Sequence, residues 1–179
     1  MPYDFNEHKH RYAVWTAARA QRAYATTEII ENAINATDLQ AFSKQTELIS
    51  QEAFDAKHHQ WCLSMISYLQ AYQAKKMDCT YGRAAKIIAI YLKTAVILPN
   101  KGASPICDVI HPPVDRILLA NIGKKIDLKA HIKLGWTSFC EEHYHELMKI
   151  IRDHHDILGC SFNWRLEENW KASGELIEE

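Results

Sequence analysis

Glycine and proline are scarce, six and five among 179 residues, and no stretch alternates apolar with polar side chains long enough to read as a strand. That leaves helices as the building material. No apolar run approaches the roughly 18 residues of a membrane span. The start, Met1 to His10, is polar and has no signal-peptide core. The five cysteines (Cys62, Cys79, Cys107, Cys140 and Cys160) are odd in number and scattered. This excludes a disulfide framework, a CxxC pair and the clustered ligands of an iron–sulfur centre. Free thiols without a leader point to the cytoplasm. No phosphate-binding loop, dinucleotide fingerprint or Gly-x-Ser-x-Gly elbow occurs. What remains is 47% hydrophobic and 24% charged, a globular composition on a length that suits one domain.

The net charge of −1 hides an asymmetry along the chain. Residues 1–73 carry 6 basic and 8 acidic side chains, residues 74–135 carry 11 against 4, and residues 136–179 carry 4 against 10. A segment of net +7 between acidic flanks is the pattern of a face that meets an anion such as a nucleic-acid backbone. The basic residues are Lys75, Lys76, Arg83, Lys86, Lys93, Lys101, Arg116, Lys124, Lys125, Lys129 and Lys133.

Periodicity and turn residues predict about eight helices. The first spans 7–24, with Asn6 as its cap. A Thr37-x-x-Gln40 capping box starts a second, through residue 50. In 51–77, Phe54, His58, Trp61, Met65, Leu69 and Tyr72 recur at helical steps on one face. Residues 78–82 break the pattern, and 83–98 restarts it with Lys86 in the first turn and a buried stripe of Ile87, Ile88, Tyr91, Leu92, Ala95 and Val96. A loop at 99–105 and a stiff His111-Pro112-Pro113 follow. Further helices are expected at 114–122, closed by Gly123, at 126–134 and at 138–158, closed by Gly159. One or two turns close the chain at 162–170.

The segment Tyr81-Gly82-Arg83-Ala84-Ala85-Lys86-Ile87-Ile88-Ala89-Ile90-Tyr91-Leu92-Lys93, followed by Pro112-Pro113-Val114-Asp115-Arg116, resembles the core of the helix–hairpin–helix DNA glycosylases. It is most similar to the archaeal-type 8-oxoguanine glycosylase branch, as is Leu166 to Trp170, more weakly. The resemblance implies a single all-α domain of residues 1–179 in two lobes around a cleft. One lobe is basic, about 60–135, and the other is built from 1–59 and 136–179. It further implies Lys86 as a nucleophile, Asp115 as its assistant and double-stranded, lesion-bearing or modified DNA as the partner, with no cofactor. Gly82 is the one glycine of a turn where the family's hairpins carry Leu-Pro-Gly-x-Gly, and Lys93, two turns further along the polar stripe, is the alternative nucleophile.

The chemistry asks for these residue types. Removing a base requires the nucleotide to leave the stack and positive charge to be supported at the sugar. A neutral lysine amine attacks that carbon and forms a Schiff base, provided its pKa is lowered. Arg83 and the positive end of the helix are expected to lower it. Asp115, at the start of a helix, stays ionised and accepts a proton or faces the sugar cation. The turn at Gly82 offers backbone N–H groups to a phosphate.

Arg83, His111 and Arg116 are the expected DNA contacts, His111 also as a proton carrier. Trp136 and Trp170 are the aromatic surfaces for an extruded base, with Trp15, Phe139 and Trp164 as lesser candidates. Arg11, Arg19 and Arg22 on the first helix are contacts or salt-bridged structure. The histidine pairs His8/His10, His58/His59, His143/His145 and His154/His155 are one or two residues apart, whereas chelation on one helix needs three or four, so no metal is expected. A reading from another class stands beside the enzyme: a non-catalytic helical module that binds nucleic acid or protein through the basic 74–135 face.

Overall fold

The computed structural model describes residues 3–21, 25–72, 78–160 and 163–171. It is all-helical, with no strand among the described residues and no helix there long and apolar enough to cross a membrane. Nine α-helices are described: α1 Phe5–Ala20, α2 Thr27–Asn35, α3 Leu39–Phe42, α4 Gln51–Tyr72, α5 Tyr81–Leu92, α6 Arg116–Ile122, α7 Lys129–Leu134, α8 Glu141–Asp153 and α9 His155–Leu158. Lys93–Ile97 continues α5 as a π-helical turn, and 3-10 turns lie at Pro105–Val109, Trp136–Ser138 and Trp164–Asn169.

Helix α5 is the axis of the molecule. It is buried on nearly all sides, including Tyr81, Ile87, Ile88, Tyr91 and Leu92, and packs against α1, α4 and α8. A helix apolar all round belongs in a core. Its start is set by Thr80, whose hydroxyl accepts the Arg83 N–H (3.3 Å) and donates to the Thr137 carbonyl (2.9 Å). Helix α1 reaches it through the small buried residues Ala13, Ala17 and Ala18, which allow close approach.

Several expectations need correction. The cap of α1 is Asp4, which accepts the N–H groups of Asn6 (2.8 Å) and Glu7 (3.3 Å), rather than Asn6. Helix α2, capped by Thr26, was not expected. The Thr37 box does not launch a long helix: its hydroxyl donates to Ile34 O (2.6 Å) at the end of α2, and α3 closes after one turn. Residues 44–50 offer only Ile49 as partly buried apolar cargo, too little to hold a helix against solvent. Tyr72, expected on the buried face of α4, is exposed. Lys86 falls in the second turn of α5, which begins two residues early, and the expected 138–158 helix is divided at His154. Arg22, Lys75, Lys76 and Phe162 lie outside the described residues, as do the expected ends of the first helix and of the 51–77 helix.

Candidate active site

Lys86 and Asp115 meet. The Lys86 Nζ lies 3.1 Å from Asp115 Oδ2 and donates to the Pro113 carbonyl at 3.2 Å. Asp115 is the N-cap of α6: its Oδ1 accepts the Leu118 N–H (2.9 Å), and its Oδ2 also accepts the Trp170 indole N–H (2.8 Å). The His111-Pro112-Pro113 stretch is what delivers this carboxylate, because its stiff backbone sets the carbonyl and the cap side by side. The Lys86 ammonium also stands 5.3 Å from the centre of the Trp136 ring. Trp136 follows Gly135, whose φ of +79° favours glycine, so the chain can turn sharply and present the indole.

The pair opens into a cleft of about 550 Å³, within the ~300–1,000 Å³ typical of ligand sites. Its walls hold Arg19, Lys86, Asp115, Arg116, Trp136 and Trp170, so three cations face one carboxylate. Burial lowers the Lys86 amine from its ordinary value, outweighing the opposing pull of Asp115, and the like charge of Lys93 acts with it. Burial is thus the main depressing influence, and Lys93 acts in the same direction. For Asp115, burial alone would raise the carboxyl, but Lys86, the Leu118 N–H and Trp170 together hold it below the usual carboxylate range.

The remaining candidates divide. Arg116, Trp136 and Trp170 line the cleft with the pair. Gly82 does not: it is buried against Trp136 and Phe139, and its N–H donates to the Phe139 carbonyl at 3.1 Å. With that donor engaged and the Arg83 and Ala84 N–H groups bonded to Thr80, the turn does not offer these donors to a phosphate. Arg83 is not among the cleft's lining residues. His111 lies elsewhere, buried between Tyr144 (Nδ1 to OH, 3.1 Å) and Asp55 (Nε2 to Oδ1, 2.8 Å). It lines a separate cavity of about 240 Å³ with Asp55, His58, His145, Met148 and Arg152. Burial there lowers its pKa despite Asp55.

Lys93 is held by both oxygens of Glu167 (2.9 and 2.8 Å) beneath the Trp170 ring, and does not line the cleft. Of the lesser aromatics, Trp15 is exposed, Phe139 is buried in the core and Trp164 packs on it; none lines the cleft. Arg11 pairs with Glu7 one turn away, whereas Arg19 reaches the cleft wall. Two contributors carry no signal of their own in the sequence, Glu167 and the Pro113 carbonyl, since the fold alone brings them to the lysines. Comparisons with family models, with curated proteins and with solved structures return no match for this chain.

Because the Asp115 carboxyl is held low, the stability it contributes is present above about pH 3.9, the unfolded value, and is lost as pH falls through its lower folded value. Asp115→Asn keeps the cap but loses the charge, and should cost about 1–2 kcal/mol at neutral pH. That difference should shrink as the pH falls through the Asp115 transition, measured by urea unfolding of both chains from neutral to strongly acid pH.

Proposed function

We propose that the chain is a DNA glycosylase with AP-lyase activity, which excises a damaged or modified base through a Schiff base on Lys86 with Asp115 assisting. The observation that carries this reading is the Lys86–Asp115 pair, 3.1 Å apart and facing one aromatic-walled cleft. Burying the amine is costly, and its place on the wall of a hollow is where a reacting group has to stand. The proposal includes the two-lobed arrangement. In its support, the lining residues come from both expected lobes: Lys86, Asp115 and Arg116 from one, Arg19, Trp136 and Trp170 from the other.

The chemistry runs on the groups in place. The neutral Lys86 amine attacks the anomeric carbon of the extruded nucleotide, and Asp115 accepts the proton that the nitrogen sheds as the new bond forms. The glycosidic electron pair leaves with the base, which takes up a proton. The sugar ring opens to an iminium, β-elimination breaks the 3′ phosphate bond, and water then releases the lysine. Asp115, being ionised, stabilises the sugar cation before attack is complete. Trp136 and Trp170 offer faces for the extruded base. Arg19 and Arg116 meet backbone phosphates, and the exposed Lys124, just past α6, with Lys129 and Lys133 on α7, extends that charge.

Borohydride reduction tests the reading. A panel of duplexes bearing oxidised, alkylated, deaminated or abasic sites should yield a covalent protein–DNA adduct on at least one lesion. Since burial lowers the Lys86 amine, trapping should rise with pH and level off below about pH 10.4, where an ordinary lysine is half deprotonated. A chain that binds DNA yet forms no adduct across the panel is a binding module instead.

A further inference from the structure

On another face of α5, helices α4 and α8 bring together a donor set that the cleft does not use. His59 comes from α4, and Glu141 and His145, four residues apart and hence on one face, come from α8. One ligand atom from each lies within 4.8 Å of the other two. His59 Nδ1 is 3.4 Å from Glu141 Oε1, and the two imidazole rings are 6.0 Å apart between centres. Both rings aim at one point: the Tyr81 hydroxyl is 3.4 Å from His59 Nδ1 and 3.2 Å from His145 Nε2. A single phenol proton can serve only one of these nitrogens.

Two imidazole nitrogens and one carboxylate oxygen suit a borderline divalent ion and disfavour Mg2+ and Ca2+, which want oxygen. Zinc bonds of about 2.0–2.1 Å place tetrahedral ligands about 3.4 Å apart. The His59–Glu141 separation is already there, and the exposed His145 side chain supplies the remaining closure.

We propose that His59, Glu141 and His145 form a Zn2+ site that clasps the start of α8 to α4, with the Tyr81 hydroxyl facing the fourth position. The site is independent of the glycosylase reading. The spacing of the histidine pairs does not show it, because its one-helix element joins a glutamate to a histidine, and its third ligand comes from a different helix. A competing zinc ligand pair stands at the start of α8, Cys140 Sγ with His143 Nδ1 at 2.9 Å.

Calorimetric titration of the EDTA-treated full chain with ZnCl2 tests the proposal. The expected result is one equivalent bound, a raised Tm, and no response to MgCl2. His145→Ala, at an exposed position, and Glu141→Gln should each weaken binding by more than the about 10–100-fold that loss of an outer-shell partner costs. Cys140→Ser should bind zinc as the parent chain does. No zinc binding, binding unchanged in His145→Ala, or binding lost in Cys140→Ser overturns the assignment.

Discussion

Lys86→Gln abolishes the borohydride-trapped adduct while the chain stays folded and bound to DNA: this is the result expected if the buried amine is the nucleophile. A glutamine amide has no basic lone pair, so no Schiff base can form and strand scission disappears with it. Base release should fall by more than the ~10²–10⁴-fold that one positioned proton-transfer group contributes. The fold survives because Asp115 keeps two of its donors, the Leu118 N–H and the Trp170 indole, and is not sealed from solvent. Removing a buried ammonium also removes its desolvation cost. DNA affinity persists through Arg19 and Arg116 on the cleft wall. Lys93→Gln is the matched control. Its amine is clamped by Glu167 outside the cleft, so the adduct should still form, with its pH dependence moved upward by the loss of the like charge beside Lys86. Adduct retained by Lys86→Gln and lost by Lys93→Gln would move the nucleophile two turns along the helix. Retention by both would remove lysine catalysis from α5 altogether.

The sequence made the all-helical class and the Lys86–Asp115 pairing legible for different reasons. Helical class follows from periodicity and sparse breakers, which are local and survive folding. The pairing rests on the order of two motifs 29 residues apart in the chain, a separation whose closure only the Pro112-Pro113 bend and the packing of α6 decide. What stayed hidden is non-local. Helix α2 carries an apolar face at Ile30, Ala33 and Ile34, but it is short and preceded by no break stronger than Thr26. Thr37 has the spacing of a helix start, and its hydroxyl accepts the Leu39 N–H (3.2 Å) while donating to the preceding helix, yet α3 closes after one turn because the following residues have little apolar surface to bury. His111 sits two residues from the Pro-Val-Asp corner and still ends up in another cavity, since the four extended residue steps to Asp115 span up to about 13 Å. Chain neighbourhood is a poor guide in extended segments, and charge type a better one. Arg19, read from the sequence as a contact or as salt-bridged structure, reaches the cleft from α1.

Gly82 separates the meaning of a turn glycine from that of a packing glycine, and Gly82→Ala should be strongly destabilising. The residue lies inside α5 with no positive φ, where alanine is intrinsically favoured by about 1 kcal/mol. Against this, an added Cβ would sit 2.0 Å from the Trp136 carbonyl oxygen and 3.0 Å from the Phe139 Cβ. The first of these is backbone and cannot rotate away. Restoring ordinary contact at 3.4 Å moves the Trp136 segment by about 1.4 Å and stretches the Gly82 N–H bond to Phe139. Overpacking of up to about 3 kcal/mol and a lost hydrogen bond of about 1 outweigh the helix gain. The net loss is about 3 kcal/mol, or a fall in Tm of about 6–12 °C for a chain of this size. Gly159→Ala is the contrast: its φ of +70° is strained for alanine, but no atom lies within 4 Å of the new methyl, so the cost is about 1–2 kcal/mol of backbone alone. The two variants also differ at the cleft. Trp136 is the wall beside Lys86, and a displacement of an ångström there should slow trapping by about 10²-fold at temperatures where the chain is still folded. Gly159→Ala should leave trapping unchanged. Equal, small losses of stability in the two variants, with unaltered trapping, would mean that Gly82 yields to a methyl group and that the Trp136 wall is not set by its contact with α5.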